Sequence, residues 1–255
     1  MELGAVGRSL CLLEVLSRRK SSNLETLSKE TGLPKATALR LLSALVEHGY
    51  VNRDNTDHYS LTLRMFSVGS RALKNVEFLE VASPVAGELR DKTGETVHIG
   101  ILEGNRAVYV LKRESLYTIR MNSRVGKSIP LHCSAIGKVL LAAQDDNAVE
   151  SYIREEGLNR YTPKTICTPE DFKAEIAKVR SQGYAFDDEE NETGIFCVGA
   201  PILDSYGETV AAISVSTPVF RLDKNNIDGL ISEITLCSSR ISAILGYIIE
   251  EKKDE

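Results

Sequence analysis

The sequence predicts an α+β protein in which an N-terminal winged helix-turn-helix precedes a larger domain with a central antiparallel sheet. Residues 1–62 contain three amphipathic helical segments and then two short β segments, whereas residues 79–255 alternate between strand-like and helix-like segments. The 255 residues, of which 42% are hydrophobic, can bury one small and one larger core. These observations favour two domains of different size and class.

The first 20 residues predict a helix that precedes the helix-turn-helix. Val6, Leu10 and Leu13 recur at helical spacing, and Leu12 and Leu16 widen the apolar face. We expect this helix to close a small core together with the two helices that follow it. The expected core residues are Leu10, Leu13, Leu27, Leu42 and Leu45.

Two short helices joined by a tight turn are predicted between Leu24 and Gly49. Gly32 ends the first helix, since glycine tolerates the positive φ that is common at helix C-termini. Pro34 fits the first turn of the second helix, where its missing N–H costs nothing, and Gly49 ends that helix. The apolar stripe of the second helix, which we expect to be buried, consists of Ala38, Leu41, Leu42 and Leu45.

A two-stranded wing is predicted directly after these helices. Residues 50–53 and 58–61 have strand-like composition, and the turn residues 54–57 join them. The second helix and the wing together predict a DNA-reading surface near the start of that helix. The predicted DNA-binding residues are Lys35, Ala36, Thr37, Leu39, Arg40 and Arg53, with Leu39 suited to a thymine methyl group. The alternatives are a solvated helix face and a winged helix used for protein contacts only.

Positive charge is concentrated in the first part of the chain. The formal net charge is −5, but residues 1–75 contain 11 Lys and Arg against 7 Asp and Glu, and the remainder contains 20 against 29. Salt screens charges over roughly 8 Å at physiological ionic strength, so DNA binding needs local rather than overall positive charge. The N-terminal part therefore suits DNA, and we expect the acidic part to face away from it.

Helices and strands are predicted to alternate through the rest of the chain. Residues 63–75 and 79–92 read as helices, the first with basic residues suited to a connection near DNA phosphates. Strands at 96–101, 106–111, 197–203 and 209–216, helices at 134–143, 146–155 and 169–181, and a closing helix at 225–249 follow. Counted from the first of these strands, the order β-β-α-α-α-β-β-α predicts an antiparallel sheet with helices packed around it.

The N-terminus and the cysteines indicate a cytoplasmic protein. Arg8 and Glu14 interrupt the first 20 residues, so neither a signal peptide nor a membrane span fits. The five cysteines are widely spaced and include no C-x-x-C pair, which argues against a disulfide framework and a structural zinc site. We expect free thiols and no cofactor.

Four motifs resemble a known family over essentially the whole chain. They are GLPKATALRLLSALVEHGYV in the winged helix, YSLTLRMFSVGSRAL after the wing, PLHCSAIGKVLLA in the middle, and FDDEENETGIFCVGAPILDSYGETVAAISVS near the end. The chain resembles IclR-type bacterial transcription regulators. The segment IRMNSRVGKSIPLHCSAIGKVLLA resembles in particular the regulators of sugar-acid breakdown that answer to 2-keto-3-deoxygluconate and related aldonates.

The resemblance implies a DNA-binding repressor of sugar-acid catabolism genes with no enzyme activity. Its domains would be a winged helix at 1–62, a linker helix at 63–78 and a GAF-like effector domain at 79–255 that binds a small sugar acid or keto acid. It also implies a homodimer or homotetramer on a partly palindromic double-stranded DNA operator. An activator that responds to an aromatic acid is the alternative within the family. The recognition helix has Ala36 and Leu39 where relatives often carry larger or polar groups, so no operator sequence carries over.

A small-residue turn at the start of a helix, residues 132–138, independently favours an anion site. Such a turn leaves backbone N–H groups unpaired and directed outward. By resemblance, the amides of Ala135 and Ile136 would hold the effector carboxylate. Also by resemblance, its hydroxyl or keto groups would face Asp187, Cys197, Ser214 and Ser216. The two serines are two residues apart on one strand and so share a face.

Simpler interpretations stay open for each of these residues. Residues 134–138 could be an ordinary helix N-cap, and the acidic run 187–190 could be a solvated loop or a cation site, although we expect no metal. Cys133 and Cys197 could serve a thiol enzyme, but lone cysteines are more often small buried hydrophobes. His98 and His132 are expected in the core or lining a pocket.

Overall fold

A computed structural model describes residues 4–74, 78–118 and 121–247. The chain separates into two compact units, residues 1–76 and 77–255, and each is described by itself. The first unit includes most of the segment that was predicted as a linker. The predicted domain limits at residues 62 and 78 stay a prediction.

The first unit contains the predicted three helices and the wing. Gly32 ends the second helix with a φ of 68°, as expected. Pro34 immediately precedes the third helix instead of lying in its first turn. The strands form an antiparallel sheet in the order β1-β3-β2. The elements are α1 Ala5–Ser17, β1 Ser22–Asn23, α2 Leu24–Thr31, α3 Lys35–Glu47, β2 Val51–Arg53, β3 His58–Leu61 and α4 Leu63–Lys74.

The buried face of α1 differs from the predicted one. Leu12, Val15 and Leu16 are buried, whereas Leu10 is 53% exposed. Leu10 and Leu12 are about 200° apart around a helix, so one contact face cannot hold both, and the prediction that Leu10 belongs to the core was wrong. The buried core consists of Leu12, Val15, Leu16, Leu27, Ala38, Leu41, Leu42, Val51 and Tyr59, with Leu13 and Leu45 partly buried against it.

The second unit is built on a six-stranded antiparallel sheet in the order β6-β5-β4-β9-β8-β7. Helices α5, α6 and α9 contact its central strands. Both faces of the sheet centre are covered, since Val97, His98 and Ile99 are all fully buried. The elements are α5 Phe78–Thr93, β4 Thr96–Glu103, β5 Arg106–Arg113, β6 Ser128–Pro130, α6 Ala135–Ala142, α7 Asp146–Glu155, α8 Pro169–Gln182, β7 Ala185–Asp188, β8 Ile195–Leu203, β9 Thr209–Pro218 and α9 Ile227–Ile244.

Three strands and one helix end were predicted incorrectly. The strand β1 of the first unit and the edge strands β6 and β7 were absent from the prediction, because two to four residues are too few for an alternating pattern to stand out. The closing helix starts at Ile227 after a short 3₁₀ turn and ends at Ile244, earlier than the predicted residue 249, which lies outside the described residues. Within the described ranges, no helix is both long and apolar enough to cross a membrane. All five cysteines are free thiols.

Candidate functional site

The predicted DNA-binding residues lie mainly on the outer face of the N-terminal half of α3. Lys35, Ala36, Leu39 and Arg40 are exposed there, while Thr37 is half-buried beside them. Arg53 lies on β2 of the wing, also exposed. The apolar stripe of α3 points the other way, with Ala38, Leu41 and Leu42 in the core. Five of the six residues thus share one short stretch of helix, and the sixth belongs to the wing.

The cationic side chains of this face form only weak, exposed ion pairs or none among the described residues. The ammonium of Lys35 lies 3.2 Å from the Glu25 carboxylate, and the guanidinium of Arg53 lies 2.8 Å from Asp57, with all four side chains about half exposed or more. Exposed pairs of this kind contribute about 0–1 kcal/mol. Arg40 has no ion-pair partner among the described residues. The three cations can therefore turn to a phosphate or a base at little cost.

A second candidate site lies where the N-terminus of α6 meets the sheet. Two glycines allow this close approach. A Cβ at Gly199 of β8 would lie 3.0 Å from the backbone of Ala135, and one at Gly100 of β4 would lie 2.9 Å from the Ile136 side chain. Side chains at these two positions would push α6 away from the strands. The first turn of α6 is therefore held directly over β4, β8 and β9.

The first turn of α6 keeps two amides without acceptors. Ser134 caps the helix, since its hydroxyl accepts from the Gly137 amide at 3.1 Å and donates to the Pro130 carbonyl at 2.6 Å. The amides of Ala135 and Ile136 have no acceptor among the described residues. A helix N-terminus carries a partial positive charge, so these amides offer two donors to an anion.

All six predicted effector-binding residues line one cavity beside these amides. Its volume is about 30 Å³, enough for a water molecule or two, and a molecule of the size of a sugar acid would fit only if the walls moved apart. The predicted residues in its lining are Ala135, Ile136, Asp187, Cys197, Ser214 and Ser216. Lining residues that the sequence did not indicate include Tyr109, Met121, Asn191 and Glu192.

The polar side of the cavity is a row of residues on neighbouring strands. Asp187 of β7 pairs with Cys197 of β8, and Cys197 pairs with Ser216 of β9. The Cys197 thiol donates to the Ser216 hydroxyl at 3.2 Å. Ser214 follows on the same face of β9, opposite His98 of β4. The register of three strand pairs thus brings together residues that are far apart in the sequence.

Asp187 is the ionisable group of this row. One of its carboxylate oxygens accepts from the amides of Glu190 at 2.8 Å and Asn191 at 3.2 Å. Burial raises the pKa of Asp187 to about 7, helped by the nearby Glu190 charge and opposed by the two amides and by Lys138. At neutral pH this carboxyl group can therefore both accept and donate hydrogen bonds.

The other three carboxylates of the run 187–190 form ion pairs with lysines. Asp188 and Glu189 pair with Lys164, while Glu190 lies 2.6 Å from the buried Lys138, which also pairs with Glu175. Asp187 itself is a buried strand residue, so the solvated-loop interpretation was wrong for it. In the part of the chain that the structure describes, no cluster of His, Cys, Asp and Glu suits a metal ion. Sequence reasoning missed Lys138, although a lysine within the apolar helix AIGKVLLA is an unusual residue for a core.

The thiol-enzyme alternative finds no support in the geometry. Burial raises the pKa of both Cys133 and Cys197 above the usual range, so both stay protonated thiols. His98 is hydrogen-bonded to Ser123 and Ser216, and His132 to Tyr152 and Asn159. Neither imidazole is hydrogen-bonded to a cysteine, as a base that activates a nucleophilic thiol would be.

Comparisons with known proteins give the same family for both parts of the chain. A family model described as the IclR helix-turn-helix domain matches residues 5–55, and one described as the bacterial transcriptional regulator IclR C-terminal domain matches residues 70–243. The HTH-type transcriptional regulator KdgR of Escherichia coli is 35% identical over 92% of this chain and 90% of its own length. The transcriptional repressor IclR of the same organism is 31% identical over 89% and 84%. The crystal structure of Thermotoga maritima IclR matches with a TM-score of 0.77 and 30% identity, over 95% of this chain and 98% of that one.

Proposed function

Since the chain belongs to the IclR family of bacterial transcriptional regulators, we propose that it represses genes of sugar-acid catabolism and is released from its operator by a sugar acid or keto acid. The observation that carries this proposal is the cavity that is lined both by two free helix amides and by a row of hydroxyl, thiol and carboxyl groups. Such a cavity is suited to a small molecule with a carboxylate head and a hydroxylated tail.

The DNA side of the proposal rests on α3 and the wing. Lys35 and Arg40 would contact phosphates or guanine, Thr37 a base or phosphate, and Arg53 the backbone beside the wing. Ala36 and Leu39 are small and apolar groups on the same face, suited to thymine methyl groups. A protein that binds the chromosome in this way acts in the cytoplasm, with no catalytic residue and no cofactor.

The polar row favours a hydroxylated acid over an aromatic one. An aromatic ring could not form a hydrogen bond with buried groups such as Asp187 and Ser216, whereas a hydroxylated tail can use the lone pairs that remain on both beside their protein partners. The similarity to KdgR, a 2-keto-3-deoxygluconate regulator, supports the same branch. An activator that responds to an aromatic acid is the second candidate within the family.

The regulatory step would act through a homodimer or homotetramer. Two recognition helices that read successive half-sites must lie about one DNA turn, roughly 34 Å, apart. An effector that prefers an arrangement with another spacing lowers operator affinity by the coupling free energy, typically 1–3 kcal/mol.

The proposal is tested by measuring operator affinity with and without ligand for a double variant, Ser214→Ala with Ser216→Ala. DNA from upstream of the gene and 2-keto-3-deoxygluconate are the probes. The double variant should bind operator normally and lose most of the response to ligand. The matched control is Ser238→Ala with Ser242→Ala, two buried serines of α9 outside the cavity lining. A normal response in the first variant, or an equal loss in the control, would refute the site assignment.

A further inference from the structure

Directly behind the cavity wall lies a buried imidazole that the proposed function does not use. We propose that His98 is a positioning residue that sets the direction of the Ser216 hydroxyl and holds the wall at residues 121–123, and so makes the pocket prefer acids with a hydroxylated tail. This inference rests on the proposed function, because it concerns the same pocket. The inference explains how the pocket would distinguish between ligands that have the same carboxylate group but different tails.

The strand geometry places His98 on the pocket face of the sheet. His98 alternates with Gly100 along β4, and a Cβ at Gly100 would touch Ile136 of α6. His98 is fully buried opposite Ser214. Its ring stacks on Tyr109, a cavity-lining residue, with centroids 4.3 Å apart and planes 20° apart. The imidazole is therefore fixed in place beside the lining groups.

Hydrogen bonds connect this ring to two sides of the cavity. Nε2 lies 2.7 Å from the Ser123 hydroxyl, and Nδ1 lies 3.5 Å from the Ser216 hydroxyl. A neutral imidazole has one donor and one acceptor nitrogen. In the tautomer that we propose, Nε2–H donates to the Ser123 hydroxyl, and Nδ1 accepts from the Ser216 hydroxyl. Since the Cys197 thiol already donates to Ser216, one lone pair of the Ser216 oxygen is left to accept from a ligand hydroxyl.

The same ring helps to fix the opposite wall. The ammonium of Lys112 donates to the carbonyls of Met121 at 2.9 Å and Ser123 at 2.8 Å. Met121 lines the cavity, and the wall it belongs to is held by the imidazole, by the Lys112 ammonium and, at the Asn122 carbonyl, by the Lys127 ammonium at 3.3 Å. Removing the ring nitrogens would free the Ser216 hydroxyl to rotate and would also release one of these attachments.

The charge of the ring does not change in the working range of pH. Burial lowers the pKa of His98 to about 3, with smaller contributions from the positive charges of Lys112 and Lys127. The groups that face the ring are Ser123, Ser216 and Tyr109, none of which is charged at neutral pH. His98 therefore acts through hydrogen-bond direction and not as a pH sensor.

The test compares two acids with the same 2-keto carboxylate head, 2-keto-3-deoxygluconate and pyruvate, by calorimetric titration of the full chain. The variant His98→Phe keeps the ring and its stacking but removes both nitrogens. We expect its dissociation constant for 2-keto-3-deoxygluconate to rise about fivefold to tenfold, while that for pyruvate changes less than twofold. His98→Asn, which keeps a polar group near Nδ1, should recover part of the discrimination.

The control is Ser115→Ala. Ser115 is also buried, and its hydroxyl donates to the Gly94 carbonyl and accepts from the Tyr117 amide, but it belongs neither to the cavity lining nor to the turn 132–138. This variant should lower the melting temperature without changing the ratio of the two dissociation constants. Equal losses for both acids in His98→Phe, or the same change of ratio in the control, would overturn the proposal and leave the proposed function standing. Failure of the unaltered chain to bind either acid would overturn both.

Discussion

Two lysines show how differently the two units of this chain use positive charge. Lys35, at the start of α3, is well exposed and pairs at 3.2 Å with an exposed Glu25. Lys138, in α6, is fully buried and pairs with both Glu175 and Glu190. The first is free to exchange its partner for a phosphate, because little is lost when its pair opens. The second is bound to its partners by burial, so it defines structure near the pocket and is not available to a ligand.

This contrast extends to the two candidate sites as a whole. The DNA-contact face is local in sequence, exposed and adaptable, which suits a ligand whose phosphates contribute most of the affinity. The candidate effector pocket is assembled from distant strands, and its residues Asp187, Cys197, Ser214 and Ser216 are all buried.

The largest difference is expected in stability. Lys138→Met should lower the free energy of unfolding of the C-terminal unit by about 3–5 kcal/mol, because it leaves the buried Glu190 and the partly buried Glu175 without a counter-charge. Lys35→Met should change the stability of the N-terminal unit by less than about 0.5 kcal/mol. Urea denaturation of the two variants measures both values. Similar values for the two lysines would mean that the buried pair is not a structural element.

Substitutions on the exposed face of α3 should change operator affinity without changing effector affinity. Arg40→Ala is expected to weaken operator binding by about 1–3 kcal/mol, since it removes a cation from the contact face, while effector affinity stays unchanged. Fluorescence anisotropy over a range of salt concentrations gives both the affinity and its salt slope. The exposed Lys178 of α8 provides a matched cation for the control variant Lys178→Ala. An Arg40 variant with full affinity would support the interpretation of the winged helix as a protein-contact module.

A smaller effect is expected from pH on the affinity of the pocket for its effector. The pKa of Asp187 is raised to about 7, so above this value the effector carboxylate enters next to a second negative charge. Effector affinity should therefore fall as pH rises from 6 to 8, by at most tenfold per pH unit for one linked proton. Asp187→Asn should remove this dependence. A pH profile that is the same in the unaltered chain and in this variant would show that Asp187 does not share the site with the anion.

The raised pKa of Asp187 also makes the free energy of unfolding depend on pH. Its pKa is higher in the folded chain than the ordinary value of 3.8, so the folded state binds the proton more tightly. This contribution is fully present below about pH 4 and is lost as pH rises through 7. Comparing the pH dependence of unfolding in Asp187→Asn and in the unaltered chain isolates it. An identical dependence in both would contradict the raised pKa.

Sequence patterns predicted the N-terminal unit well because its determinants are local. Gly32, Gly49 and the stripe at Ala38, Leu41 and Leu42 act within a few residues of the elements they define. The exception is α1, where leucines occur on more than one side and only tertiary packing decides which are buried. Leu10 was placed in the core on spacing alone, but the helix packs through Leu12 and Leu16.

The pocket could be predicted only in part, because most of its contacts join residues that are far apart in the sequence. The spacing of Ser214 and Ser216 and the turn before α6 are visible in the sequence. The row of Asp187, Cys197 and Ser216 depends on the register between three strands, one of which, β7, was not predicted at all. No local pattern indicates that His98 lies behind Ser216 or that Lys138 faces Glu190. Such contacts follow from the sheet order and not from neighbouring residues.

The central claim is that occupation of the buried pocket and binding of DNA by the exposed face are linked. The most direct measurement is the dissociation constant for 2-keto-3-deoxygluconate in the presence and absence of saturating operator DNA, beside the operator dissociation constant with and without the acid. Linkage requires both ratios to be equal, and the account predicts a weakening of about 5-fold to 150-fold. An acid that binds with the same affinity to the free and the operator-bound protein would contradict it.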